Sequence, residues 1–168
     1  MSVAQIGSSF WIPFLVLGVS QVLGGRVSDV LVKRGWEPVR AREVVLGAAA
    51  FLTPASWLAA LTSQAEWAIV LMCVLMFAHG FWITNFLGLL GDVFPRDAIG
   101  TITGLTGTAG GIGGMLSSLA IGAAVDRFSF TPVFAVSGVL YPLAFVAILM
   151  ATMRGGSGKA GVVSQGAT

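Results

Sequence analysis

His79, Trp82, Asn85 and Asp92 put an imidazole, an indole, an amide and a carboxylate into one short, otherwise apolar stretch. At about 100° per residue these four and Leu89 fall within roughly 140° of a helix surface. Polar side chains at membrane depth are costly, and they usually face the bundle interior or a wet cavity. The stripe can therefore do two kinds of work: hold a polar small molecule, or hydrogen-bond a neighbouring helix for under ~1 kcal/mol. It is not equipped for covalent or metal catalysis. The sequence has no H-E-x-x-H, no G-x-S-x-G and no acid pair at mid-membrane depth. Cys73 is the single cysteine and lies inside an apolar run, so it makes no intrachain disulfide or metal site. No cofactor is expected.

The stripe must be positioned by membrane-spanning helices. The chain is 56% hydrophobic and 10% charged, against about a quarter charged in soluble domains. A spanning helix needs about 20 mainly apolar residues. Five segments qualify, about 6–27, 43–62, 66–92, 98–124 and 130–153. They form one membrane domain over 1–153, and the small, polar stretch 154–168 reads as a disordered tail. The runs are continuous rather than alternating, which excludes a β-barrel. The fold class is all-α, an integral membrane protein with five transmembrane helices. Pro95 should end the third span and push Phe94 to an extended conformation.

The fourth span carries Gly100, Gly104, Gly107, Gly111, Gly114 and Ser118 at spacings of 4 and 3. Such a seam permits close static packing. Alternatively it is a bending or sliding surface, which Gly110–Gly111 and Gly113–Gly114 favour because glycine weakens a helix.

Half of the sixteen charged side chains lie between Gly24 and Glu43, which reads as a charged loop between two apolar runs. With Arg96, Arg154 and Lys159 this side of the membrane collects eight basic residues, and the other has only Arg127. The positive-inside rule makes the rich side cytoplasmic, with the N-terminus outside and the C-terminus inside. The basic residues sit at membrane ends, which argues for a lipid bilayer partner and against nucleic acid. An outside start and an odd helix count read as the end of a longer protein, a genuine five-span protein being the alternative.

Gly24-Gly25-Arg26-Val27-Ser28-Asp29 followed by Lys33-Arg34-Gly35 resembles the cytoplasmic loop motif of the major facilitator superfamily. The motif occurs between helices 2 and 3 and again between helices 8 and 9. Four further spans follow it here, so the chain resembles helices 8 to 12, part of the C-terminal half. His79-Gly80, Trp82, Asn85 and Asp92-Val93-Phe94-Pro95 are similar to helix 10 of the anion:cation symporters, which include hexuronate and other sugar-acid transporters. One departure is that Phe81 holds the place before Trp82.

The resemblance implies a proton-coupled symporter of an organic anion, in the cell inner membrane, working by alternating access. It implies substrate contacts from Trp82, Asn85, His79 and Phe81. Asn85 both donates and accepts hydrogen bonds, which suits a sugar hydroxyl, and Trp82 offers a flat face to a sugar ring. His79 titrates near neutrality, or it is a neutral group bonded to a neighbouring helix. Gating is implied for Gly24, Gly25, Asp29, Arg34, Gly35 and Asp92, and for the seam at Gly107, Gly111 and Gly114. Asp29 and Asp92 are badly placed for their own helix dipoles, so each should find a cation or another helix N-terminus. Asp92 is expected to pair with Arg96 or with the basic segment. The implied partners are a small organic anion, protons and missing N-terminal helices. No Arg or Lys lies deep in a span, so a non-transporting fragment or assembly partner is the rival reading.

Overall fold

A computed structural model describes residues 11–62, 64–127 and 131–165. Among these there is helix and turn, and no strand. Helix α1 is Trp11–Lys33, α2 is Pro38–Leu52, a 3-10 turn covers Thr53–Ala55, and α3 is Ser56–Leu61. Helix α4 is Ala65–Val93, α5 is Ile99–Arg127 and α6 is Thr131–Gln165. With α2 and α3 counted as one broken rod, five rods result, an all-α membrane fold as the sequence predicts. The beginning of the first span, Phe10 included, and the turn at 128–130 lie outside the described residues.

Helix α1, most of α4 (Glu66–Val93) and the Val136–Met153 part of α6 are long and apolar enough to cross a membrane. The other two rods fall short for visible reasons. At about 1.5 Å per residue, the fifteen residues of α2 reach roughly 22 Å, short of a hydrocarbon core of about 30 Å. Pro54 lies in the 3-10 turn that follows, and Thr53 returns its hydroxyl to the Ala50 carbonyl at 2.8 Å. In α5, glycine, threonine and serine dilute the apolar residues.

The segment 24–43 corrects a sequence expectation. It is not a long loop: Gly24, Gly25 and Asp29 are helical, and α1 continues to Lys33. The stop is at Gly35, whose φ of 91° is left-handed. Gly35 N–H bonds to Val32 O at 2.9 Å and Trp36 N–H to Leu31 O at 3.2 Å, the paired closure of a helix C-terminus that glycine favours. Pro38 then opens α2, where its missing N–H costs nothing. At the other end of the chain, helix α6 is described as far as Gln165.

Helix α4 is the centre of the packing. It lies against α1 and α2, whereas α5 touches α4 and α6 only lightly. The buried core is Leu46, Ala49 and Ala50 of α2 against Trp82 and Leu89 of α4, with Tyr141, Phe145 and Ile148 of α6 packed on it. Helix α4 ends as Pro95 dictates: Phe94 is extended (φ −97°, ψ 148°) and its N–H still reaches Leu90 O.

Candidate functional site

Two faces of α4 divide the polar stripe between them. One face meets α1 at close range. Buried small residues recur every fourth position on α1, at Ser20, Gly24 and Ser28, and Gly80, Thr84 and Gly88 recur likewise on α4. A Cβ on Gly80 would lie 1.7 Å from Ser20 Oγ, and one on Gly24 would lie 2.9 Å from Phe81 Cα. Backbones this close are characteristic of small-residue crossings in membranes.

Asn85 sits in this crossing and is fully buried. Its Nδ2 donates to Gly24 O at 3.1 Å, across the helices, and to Phe81 O at 2.8 Å, along its own. The reverse amide orientation would set Oδ1 against two carbonyl oxygens, so the orientation follows from the chemistry. Oδ1 is buried without a partner among the described residues. Phe81 also turns toward α1, beside Gly24, and stacks on Phe77 with ring centroids 4.6 Å apart. Two of the four substrate contacts expected from sequence, Asn85 and Phe81, thus lie at the α1–α4 seam.

The other face of α4 borders a cavity of ≈ 460 Å³ between α4, α5 and α6, and here the structure brings His79 and Trp82 together. Tyr141 of α6 joins them. Its hydroxyl lies 2.5 Å from His79 Nδ1; with the imidazole proton on Nε2, the phenol donates. Its ring stands edge-on to Trp82, with centroids 5.2 Å apart. Thr103 and Thr106 of α5 face the same space. The Thr106 hydroxyl donates to Ile102 O at 2.8 Å, which leaves its lone pairs to accept. The cavity is thus an apolar, aromatic wall with a cluster of hydrogen-bonding groups, the general make-up of a small-molecule site. Among the described residues no Arg or Lys lines it.

At the basic end, Asp92 pairs with Arg42 of α2. This is a residue of the basic segment, one of the two expected partners, and not Arg96. Arg42 Nη1 also donates to Ser28 Oγ at 3.3 Å, and its guanidinium lies over Gly88, where a Cβ would come within 2.4 Å of Nη1. Three helices are tied at one arginine. Asp29 borders a separate groove on α1 with Arg26 and Lys33, and no ion pair involves it among the described residues. The α5 glycines, Gly107, Gly111 and Gly114 included, have nothing within 4 Å of an added Cβ. Among the described residues nothing fills the space an α5 glycine leaves, although Gly107 and Gly110 do border the cavity.

Sequence reasoning missed Tyr141 as a site residue and Arg42 as the clasp. Tyr141 is the only tyrosine of the chain, next to a mid-helix proline; that was the available signal. For the seam, the signal was the fourfold spacing of small residues on both helices.

The family model described as Major Facilitator Superfamily matches residues 1–166. The chain is 30% identical over 136 residues to the hexuronate transporter of Escherichia coli (strain K12), covering 80% of this chain and 32% of that protein. It is 30% identical over 126 residues to a probable galactarate/D-glucarate transporter of Bacillus subtilis (strain 168), covering 75% and 28%. It is 32% identical over 133 residues to a chloroplastic ascorbate transporter of Arabidopsis thaliana, covering 77% and 24%. The chain spans about a third of the length of the hexuronate transporter it matches.

Proposed function

This chain belongs to the Major Facilitator Superfamily, a family of membrane transporters rather than enzymes, and we propose that it builds one wall of the pathway of a proton-coupled organic-anion transporter. The substrate class is a sugar acid such as a hexuronate. The observation that carries the reading is the His79–Tyr141–Trp82 cluster, which sets hydrogen-bonding groups beside aromatic faces in one cavity. A sugar ring presents both surfaces: apolar C–H faces that stack on an indole, and hydroxyls that bond at its rim. The similarity to transporters named for hexuronate and for galactarate/D-glucarate supports the same class.

Each residue then has a role. Trp82 stacks on the ring, and Tyr141 and His79 bond hydroxyls. The imidazole, held at Nδ1 by the phenol, can exchange a proton at Nε2. Asn85 and Phe81 act from behind, fixing α4 against α1 so that Trp82 and His79 face the cavity. The Arg42–Asp92 pair, with Arg34 and Gly35 at the turn into α2, holds the basic, cytoplasmic end while the opposite end opens, and Gly24 and Gly25, inside α1, let that helix lie close against α4. The cation that neutralises the substrate carboxylate must come from elsewhere in the transport unit, because a carboxylate without a partner is expensive away from water.

The test is uptake of labelled glucuronate by a chimera in which this chain replaces the matching segment of the hexuronate transporter. Tyr141→Phe and Trp82→Leu should raise KM several-fold with protein levels unchanged. Unchanged KM in both variants would remove the cavity from the pathway.

A further inference from the structure

We propose that a second groove, between α2 and α6, holds one phospholipid with a primary-amine headgroup. The groove encloses ≈ 580 Å³ and is separate from the cavity at His79 and Trp82. Its position is set by the two helices that form it. Met153 ends the apolar stretch of α6, and the same groove is lined by Glu37, Arg40 and Glu43 from the first turns of α2. It therefore straddles the level at which apolar sequence gives way to charge, where lipid headgroups lie.

The two ends of the groove differ in chemistry. Toward the membrane interior, Gly47 lets the Phe145 ring lie against the α2 backbone; a Cβ there would be 2.8 Å from Cζ. Leu149 and Ala48 extend this floor, which suits an acyl chain. From Arg40 to Ala48 the helix rises about 12 Å, enough to run from phosphate depth into the hydrocarbon. Trp36 stands at the outer end, the place where indoles anchor in the headgroup layer.

At the charged end are two carboxylates and one guanidinium. Arg40 lies 4.0 Å from Glu37, with both side chains largely exposed, so this pair is loose and Arg40 can turn to a phosphate. Glu43 is half-buried, and its Oε1 accepts the Thr152 hydroxyl at 2.5 Å. A carboxylate at the edge of a low-dielectric layer needs donors, and a primary ammonium brings three N–H bonds. A quaternary ammonium brings none. An anionic headgroup without an amine would meet two carboxylates. The charge pattern therefore selects phosphate together with primary amine, as in phosphatidylethanolamine.

Native mass spectrometry of the purified 168-residue chain, given equimolar phosphatidylethanolamine, phosphatidylcholine and phosphatidylglycerol of identical acyl chains, tests this directly. The ethanolamine lipid should be retained at least threefold over either competitor on the unaltered protein. Glu43→Gln keeps the side-chain shape and should bring ethanolamine retention down to the choline level, with helix content by circular dichroism unchanged. Arg26→Gln, outside the groove, should leave the preference intact. Equal retention of ethanolamine and choline lipids by the unaltered chain would overturn the proposal, as would a preference that survives Glu43→Gln. Excess phosphatidylglycerol would assign lipid binding to the basic segment instead, and a lipid-free dimer would assign the groove to a second copy.

Discussion

Gly80 and Gly107 are both glycines in membrane helices, and they should answer alanine in opposite ways. A methyl on Gly80 collides with Ser20 Oγ and crowds Leu17 O, whereas one on Gly107 meets nothing. Gly80→Ala should destabilise the chain by on the order of 1–3 kcal/mol, the usual cost of overpacking. Gly107→Ala should stabilise it by up to about 1 kcal/mol through helix propensity. Denaturant titration in detergent, followed by circular dichroism, reads both; equal stability of Gly80→Ala and the parent would remove the close α1–α4 crossing. Asn85 shows what one side chain's sequence position can and cannot say. That it needed a partner at membrane depth was legible. Which partner was not, because a helical wheel gives an arc and not a neighbour, and the Gly24 carbonyl is sixty-one positions away. The same limit hid Tyr141, sixty-two positions from His79.

Among the elements, α4 is held at two places by different physics: small-residue contact with α1 and an ionic clasp with α2. The clasp makes its own prediction. The Arg42 and Asp92 side chains are 18% and 24% exposed, so removing one charge strands the other in a partly desolvated site. Asp92→Asn should cost about 1–3 kcal/mol, and Arg42→Gln a similar amount. The double variant should cost less than the sum, by a coupling of at least ~0.5 kcal/mol in a double-mutant cycle. Strict additivity would mean that the pair is a surface contact without energetic weight. Much at this scale was readable in the sequence. The stop at Pro95 follows from proline chemistry, whereas the span expected over 43–62 ran through Pro54 and is broken there by a 3-10 turn. The extent of α1 was readable too, from Gly35 and Pro38, yet charge density alone suggested a loop. Arginine and lysine are good helix formers, so α1 continues through Arg26 to Lys33 and ends where glycine allows the backbone to turn. The rotation of α4 about its axis was not readable, because contacts with two other helices set it together.

For the whole molecule, the charge asymmetry gives the first test. In a Cys73→Ser background, impermeant thiol reagents should reach Lys33→Cys and Gln64→Cys from opposite faces of the membrane. Labelling from the same face would refute the topology. The second test concerns autonomy. The cavity at His79, Trp82 and Tyr141 has no lining cation among the described residues, and α5 barely closes it. The purified 168-residue chain should therefore show no saturable, proton-coupled uptake of glucuronate in proteoliposomes; such uptake would show that the cation is supplied within this chain. The most direct measurement of the central claim, that the α4–α6 face recognises a sugar acid while the α4–α1 face supports it, is a comparison of variants from the two faces in the chimeric transporter. Tyr141→Phe and Trp82→Leu should raise the KM for glucuronate several-fold at normal protein levels, and Asn85→Ala should lower the amount of folded protein with KM little changed. A normal KM in both cavity variants, together with a raised KM in Asn85→Ala, would contradict it.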